Sequence, residues 1–152
     1  RVPDLRLLVV GRGTHMNEVA VEPAKRLGLS NVSFTGYLGP QYLDTVSTFD
    51  ALLFLVPGSD GTCRAIREAM ALGKAVIGAR RGMIPEIVDD GVTGLVIDDT
   101  PENIARAIET LAADRERTRE MGRRGREKAV ATYDIRRQAR EMKRIYEAVL
   151  EK

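Results

Sequence analysis

Small and charged residues crowd one short segment of the chain, between an apolar run and a stretch with the composition of a helix. The apolar run from Ala51 to Val56 predicts a strand, and the segment 64–72 predicts a helix that ends at Gly73. A strand that leads through a loop into a helix N-terminus is suited to binding phosphate, because backbone N–H groups and the helix dipole face the ligand. Two glycines, which make the backbone flexible, and two positively charged arginines lie near this helix start, namely Gly58, Gly61, Arg64 and Arg67. The segment therefore predicts an anion site.

Two carboxylates flank the same junction, Asp60 in the loop and Glu68 in the first turns of the helix. From these positions one carboxylate can face a sugar while the other faces a ribose. A purely structural alternative exists, since Asp is an ordinary N-cap residue and Glu68 could be a solvated helix residue. The neighbouring glycines and arginines favour the ligand-binding interpretation.

A second glycine-bearing turn follows the first apolar run, where Gly11 and Gly13 flank Arg12. The dinucleotide-binding fingerprint needs a third glycine where Met16 stands, and an acidic residue at the end of the second strand, where Thr35 stands. The sequence therefore disfavours a nicotinamide or flavin site. A tight turn and a close approach of the backbone to a ligand both remain as explanations.

Composition narrows the class of protein further. The single cysteine, Cys63, excludes an internal disulfide framework and favours a reducing compartment. The only histidine, His15, is expected to start a helix, and the scattered carboxylates lack ligand spacing, so no metal is predicted. No apolar run reaches the length that spans a bilayer, and no signal-peptide pattern is present. We therefore expect a soluble, cytoplasmic protein.

Apolar runs alternate with helix-like segments through residues 1–113. The pattern predicts strands at about 5–10, 32–35, 51–56, 75–78 and 95–97, and helices at about 15–27, 41–49, 64–72 and 85–88. This alternation favours a three-layer α/β domain, a parallel sheet flanked by helices, with the ligand outside the carboxyl ends of the strands. We then expect Arg80 and Arg81 to lie in a loop at the carboxyl ends of the strands, where the ligand binds, or else to be a solvated pair.

The region 114–152 has a different character, and we expect it to form a helical tail on the single domain. After a helix that starts near Thr100, two more are predicted at about 115–131 and 134–150. The last one has apolar residues at helical spacing, namely Ile135, Ala139, Met142, Ile145, Tyr146 and Val149. This helix therefore has one face to bury, and a homodimer through it is expected. The tail is also richer in Lys and Arg than in Asp and Glu.

Several motifs occur together along the chain. The largest is Asp60-Gly61-Thr62-Cys63-Arg64-x-x-x-Glu68-Ala69-Met70-Ala71-x-Gly73. Others are Val9-Val10-Gly11-x-Gly13, Val32-x-Phe34-x-Gly36, Val76-Ile77, Gly82-x-x-Pro85-Glu86 and Gly91-x-Thr93-Gly94-x-Val96. In combination these motifs resemble the C-terminal domain of the retaining family 4 glycosyltransferases, which have the GT-B fold. The resemblance covers nearly the whole chain and implies half of a GT-B fold.

The resemblance also implies roles for the residues of the site. Glu68 would accept hydrogen bonds from the ribose of a nucleotide-sugar donor, and Asp60 would contact the hydroxyls of the donor sugar. Backbone amides near Cys63 to Ala65 would hold the diphosphate, with Arg64 beside it. The segment from Phe34 to Leu38 would border the nucleobase, with Tyr37 as a stacking residue. The remaining donor-binding positions would be Gly11, Gly13, Gly61 and Thr62.

The implied reaction moves a hexosyl-type group from a nucleoside-diphosphate sugar to an acceptor, with retention at the anomeric carbon. Negative charge develops on the leaving diphosphate and must be stabilised. A helix N-terminus with Arg64 nearby can do this without a metal or another cofactor. Nucleic acid is not an expected partner, whereas peripheral association of the full enzyme with a membrane is.

The site loop departs from the family pattern at four positions. Asp60 replaces a Glu, Thr62 a Phe, Cys63 a Gly and Arg64 an apolar residue. These changes keep a second interpretation open, a stand-alone nucleotide- or phosphate-binding regulatory module. A GT-B epimerase or phosphorylase fits the spacing of the two carboxylates less well.

In the family, further parts precede the position that corresponds to residue 1, and we expect this chain to lack them. They are the N-terminal acceptor domain, the first strand of this domain, and a loop with an Arg and a Lys that bind the diphosphate. The isolated chain is therefore expected to bind a donor weakly and to be inactive in transfer.

Overall fold

The computed structural model describes residues 2–57, 61 and 63–150. Its strands are β1 (Leu7–Val10), β2 (Val32–Gly36), β3 (Ala51–Phe54), β4 (Ala75–Ala79) and β5 (Gly94–Ile97). Its α-helices are α1 (Glu22–Arg26), α2 (Tyr42–Ser47), α3 (Arg64–Ala71), α4 (Ile84–Ile87), α5 (Pro101–Ala113), α6 (Arg115–Tyr133) and α7 (Ile135–Leu150). Every predicted strand and helix has a counterpart, with ends shifted by a few residues.

All strand pairs among the described residues are parallel. β1 pairs with β2, β3 with β4, and β4 with β5. Parallel neighbours need crossover connections, and helices provide these between successive strands. The predicted class, parallel sheets flanked by helices with a helical tail, is therefore confirmed.

Hydrogen bonds join these strands into two sheets, one with the order β1-β2 and one with the order β3-β4-β5. The alternation of strands and helices predicts strands but not their neighbours, because tertiary contacts decide the pairing. The chain divides into two compact units, residues 1–45 and residues 46–152.

In the first unit, the predicted helix over residues 15–27 is split. A π-helical turn spans Asn17–Val21, and α1 follows it directly. The N–H of Glu22 donates to the carbonyl of Asn17, which closes the wider turn. Pro23 comes next and has no N–H to donate, so a continuous α-helical ladder cannot run through this point. The proline therefore accounts for the break.

In the second unit, the central strand β4 is buried along its whole length. Val76 packs on one side in a cluster with Ile66 and Met70 of α3. Ala75 and Ile77 belong to a different cluster that contains Leu111 of α5 and Met121 of α6. Side chains of neighbouring strand residues point to opposite faces, so this strand has helices on both sides. The unit is thus a three-layer α/β arrangement.

The helix α6 approaches the end of α3 closely at a glycine. A Cβ on Gly122 would lie 2.0 Å from the carbonyl oxygen of Gly73 and 2.8 Å from its carbonyl carbon. Both neighbours are backbone atoms and cannot rotate away. Gly122 therefore permits the contact that holds α3 against the tail.

Charged side chains cover the outer surface of α6. Glu120 accepts hydrogen bonds from Arg123 and Arg124, and these two guanidinium groups lower the pKa of Glu120 to about 2. The next helix, α7, contains no buried residue, and its apolar side chains are exposed. No helix within the described residues is both long and apolar enough to cross a membrane.

Candidate functional site

The start of α3 is held in place by the core of the second unit. Cys63 immediately precedes the helix, and its side chain is fully buried in the cluster that also contains Ile66 and Met70. The carbonyl of Cys63 accepts a hydrogen bond from the N–H of Arg67 at 3.3 Å. No acidic residue lies in the first turn of α3. The positive end of the helix dipole is therefore not offset by an acidic side chain of that turn.

Arg64 and Glu68 form an ion pair on this helix. The Nε of Arg64 donates to Oε1 of Glu68 at 2.6 Å. The Arg64 side chain is 83% exposed, whereas that of Glu68 is 21% exposed. Residues four apart lie on one face of a helix, which explains the contact. The arrangement presents a partly sheltered carboxylate and a solvent-exposed cation next to a helix N-terminus.

Arg67, which the sequence groups with Arg64, faces a different neighbour. Its guanidinium carbon lies 5.1 Å from the centre of the Tyr133 ring, at the end of α6. This distance is within the range of a cation–π interaction. Arg67 thus links α3 to α6, a role that sequence reasoning missed because the two residues are far apart in the chain.

Further predicted site residues come just before α3 or in its first turn. Asp60, Thr62 and Gly58 lie outside the described residues. Gly61 is exposed, and Ala65 is half-buried in the first turn of α3.

In the first unit, predicted nucleobase and backbone positions meet where β1 and β2 end. The N–H of Gly11 donates to the carbonyl of Gly36 at 2.9 Å, and Gly11 has a φ of 118°, a conformation that favours glycine. The guanidinium carbon of Arg12 lies 5.7 Å from the centre of the Tyr37 ring. Tyr37 is 72% exposed, so its ring is available for stacking.

Two other donor-binding candidates lie near the same strand ends. Phe34 is half-buried within β2, and Gly13 is exposed in the turn that follows β1. The contact between Arg12 and Tyr37 was not predicted. The sequence did contain a signal for this contact, an Arg in the loop after one parallel strand and a Tyr after the neighbouring strand. Loops that follow neighbouring parallel strands meet at one edge of the sheet.

Arg80 and Arg81, for which two interpretations were open, both contact the segment that follows β5. Arg80 donates to the carbonyl of Val96 at 2.9 Å and lies 3.5 Å from Asp98. Arg81 donates to Asp99 at 2.7 Å. These arginines therefore have carboxylate partners in the second unit.

His15 is exposed and lies 3.5 Å from Glu18, as expected of a residue at a helix start. Among the described residues, no group of three or more His, Cys, Asp or Glu side chains is arranged to hold a metal ion.

Comparison with known proteins adds independent information. Residues 1–128 match the family described as glycosyl transferases group 1. The chain is 37% identical over 117 residues to a GDP-mannose-dependent alpha-mannosyltransferase of Corynebacterium glutamicum, covering 73% of this chain and 26% of that protein. It is 35% identical over 146 residues to a GDP-mannose-dependent alpha-(1-6)-phosphatidylinositol monomannoside mannosyltransferase of Mycolicibacterium smegmatis, covering 90% and 38%.

The fold also matches a solved structure, Anabaena HepE in complex with UDP. The TM-score is 0.81 at 25% sequence identity, covering 96% of this chain and 42% of HepE. The predicted GT-B resemblance is confirmed. The chain spans between about a quarter and two fifths of the lengths of these three proteins.

Proposed function

Because the chain belongs to the family of group 1 glycosyl transferases, we propose that it is the donor-binding domain of a retaining enzyme that uses a nucleoside-diphosphate sugar. The observation that carries the proposal is the position of Glu68. Its carboxylate is partly sheltered in the second turn of α3, beside the exposed cation of Arg64. This is a suitable place for the ribose and diphosphate of one ligand to bind side by side.

The proposed roles follow from the chemistry of each group. Glu68 accepts hydrogen bonds from ribose hydroxyls, and the amides of residues 63–65 bind the diphosphate at the positive end of the helix dipole. As the glycosidic bond breaks, negative charge grows on the diphosphate, and these donors together with Arg64 stabilise it. Asp60 contacts the donor sugar. The proposed mechanism needs no metal ion.

The first unit supplies the proposed nucleobase contacts. Tyr37 presents an exposed ring, and Phe34 lies in the adjoining strand. Gly11 and Gly13 allow the backbone after β1 to come close to a ligand. The relatives named above make GDP-mannose the first donor to try, and UDP in HepE makes UDP-glucose the second. The transferred group is proposed to be a hexosyl group, and no particular acceptor is proposed.

We further propose that the whole enzyme has a separate acceptor-binding domain, so that this chain alone does not transfer sugar. The share of the relatives that the chain spans supports this. Within the described residues, β1 and β3 each have a strand partner on one side. A strand from the rest of the protein could pair with one of the remaining edges.

We propose that the whole enzyme is located in the cytoplasm and contacts the cytoplasmic face of a membrane peripherally. The Mycolicibacterium smegmatis relative is named for a phosphatidylinositol mannoside, which is a lipid. The basic side chains of α7 are suited to an anionic surface.

A second candidate is a nucleotide- or phosphate-binding regulatory module without transfer activity. One observation favours it. Arg64 stands where the family has an apolar residue, and it pairs with the carboxylate that should bind ribose. A whole protein that binds nucleoside diphosphates but transfers no sugar would support this candidate.

The test of the leading proposal is a titration of the 152-residue chain with UDP, GDP and ADP, followed by amide NMR shifts. We expect one of them to shift the amides of residues 63–68, with weak affinity. Shifts confined to the basic helix α7 would contradict the proposed site. Glu68→Gln is the variant that should weaken binding, and Glu147→Gln, on the exposed surface of α7, is its control.

A further inference from the structure

The carboxylate assigned to the ribose is already occupied by a cation of the same helix. Arg64 donates its Nε–H to Oε1 of Glu68 at 2.6 Å. A ribose hydroxyl that donates to Oε1 of Glu68 must therefore compete with Arg64 for that oxygen atom. This competition exists because Arg64 replaces the apolar residue that the family has at this position.

We propose that Arg64 makes ribose binding by Glu68 conditional on a diphosphate. A phosphate group near the helix start draws the guanidinium away from Glu68 and frees the carboxylate for the ribose. A nucleoside without phosphates offers Arg64 no new partner and must displace it unaided. Arg64 is thus a specificity-determining residue, and this role rests on the proposed function of the site.

The unequal exposure of the two side chains supports this direction of exchange. Arg64 is 83% exposed and can swing through solvent, whereas Glu68 is 21% exposed and stays near the helix surface. A partly sheltered carboxylate that loses its donor is only partly hydrated, so new donors that replace the lost one lower the free energy. Ribose hydroxyls supply that replacement once Arg64 has moved to the phosphates.

The position of Arg64 also makes its pairing with Glu68 easy to exchange. Arg64 is the first residue of α3, where the helix dipole disfavours a positive charge, and the first turn contains no acidic residue. The order Arg before Glu at this spacing is the less favourable of the two orders on a helix. An anion at the helix start would offset the first effect and would give Arg64 a partner whose contact does not depend on this spacing.

A neighbouring arginine is not equivalent. Arg67 stacks on Tyr133 of α6 and is tied to the packing of the domain. Removing Arg67 would therefore disturb the fold as well as the charge of the site. The Arg64 side chain is 83% exposed, so its replacement should disturb the packing of the domain less.

The experiment compares a nucleoside with its diphosphate in the unchanged chain and in Arg64→Ala. Uridine with UDP and guanosine with GDP are the probes, and amide NMR shifts of residues 63–68 report binding. Arg64→Ala should bind the nucleoside about twofold more tightly, the factor expected for releasing one exposed ion pair on a helix. It should bind the diphosphate about tenfold more weakly, because a charged hydrogen bond to phosphate is lost.

The opposite signs of the two changes are the signature of the proposed role. Arg64→Leu restores an apolar residue and should behave like Arg64→Ala. Lys143→Ala removes a comparable pair, Lys143 with Glu147 on α7, and should change neither affinity. The amide spectra of all the variants also report whether each one is folded.

Several outcomes would overturn the inference. If Arg64→Ala weakens the diphosphate but leaves the nucleoside unchanged or weaker, Arg64 is only a phosphate ligand. If neither affinity changes, Arg64 has no part in the site. In both cases the proposed function stands, because the diphosphate still binds at α3. If no diphosphate shifts the α3 amides of the unchanged chain, the proposed function itself fails, and the inference fails with it.

Discussion

A single partly sheltered carboxylate carries most of the chemistry proposed for this chain. Glu68 keeps a charged hydrogen bond from Arg64 while its side chain remains 21% exposed. A fully solvated helix residue would show more exposure, and a buried structural one would contact the core. Glu68 lies between these cases, as a ligand-binding side chain should.

Replacing Glu68 by Ala should weaken donor binding much more than folding. Loss of two hydrogen bonds from ribose to a carboxylate should cost about 2–4 kcal/mol in donor use by the whole enzyme. Loss of the ion pair with Arg64 should change the free energy of unfolding by less than about 1 kcal/mol. Donor kinetics and a thermal melt measure the two effects.

The control for this substitution is Glu147→Ala, which breaks a comparable pair with Lys143 away from the site. It should leave donor use unchanged. If Glu68→Ala unfolds the domain while the surviving protein uses its donor normally, Glu68 is a structural residue and the assignment is wrong.

At the scale of elements, the site depends on how α6 holds α3. Gly122 of α6 lies against the backbone of Gly73, just beyond the end of α3. Arg67 of α3 stacks on Tyr133, the last residue of α6. The two contacts hold α3 against the tail, so the orientation of its N-terminus depends on the packing of α6.

Gly122→Ala should destabilise the protein, because its Cβ would lie 2.0 Å from a backbone oxygen. Overpacking of this kind costs about 1–3 kcal/mol, and here the clash is with backbone rather than with a flexible side chain. Chemical denaturation measures the change in the free energy of unfolding.

Gly125→Ala on the same helix is the matched control. Its Cβ would meet Met70 Cγ at 3.6 Å, an ordinary contact, and the change from Gly to Ala favours a helix. This variant should be neutral or slightly stabilising. Equal destabilisation by both variants would show that the close approach at Gly122 is not the cause.

At the scale of the whole molecule, the helix α7 stands out because all of its described residues are exposed. Its apolar residues repeat at alternating intervals of four and three, as in a coiled coil, at Ile135, Ala139, Met142, Tyr146 and Val149. Met142 and Tyr146 are 47% and 62% exposed. In the whole enzyme we propose that the acceptor-binding domain covers this face. In this chain alone, a second copy is the proposed occupant.

We therefore expect the 152-residue chain to form dimers in sedimentation experiments, more strongly at high salt. Five basic side chains on α7 outnumber its two acidic ones, so paired helices repel each other until salt screens the charge. Met142→Glu should yield monomers. Arg140→Ala changes the net charge equally on the opposite face and should leave the dimer intact. A chain that is monomeric at every salt concentration would contradict the prediction.

Much of the fold could be predicted because it follows from local patterns. Apolar runs such as Ala51 to Val56 and glycines such as Gly73 mark where strands and helices begin and end. The four-residue spacing from Arg64 to Glu68 places both side chains on one helical face through helix geometry alone. The π-helical turn before α1 was missed, although Pro23 is the local cause.

The family and the candidate site also follow from the sequence, since motifs are strings of neighbouring residues that need no folded context to be read. Only the tertiary structure decided which strands pair with each other. It also decided two side-chain contacts, the stacking of Arg67 on Tyr133 and the binding of Arg81 to Asp99. It also decided how close α6 comes to Gly73. These contacts join residues far apart in the chain, and their free energies depend on packing and burial, which no local pattern contains.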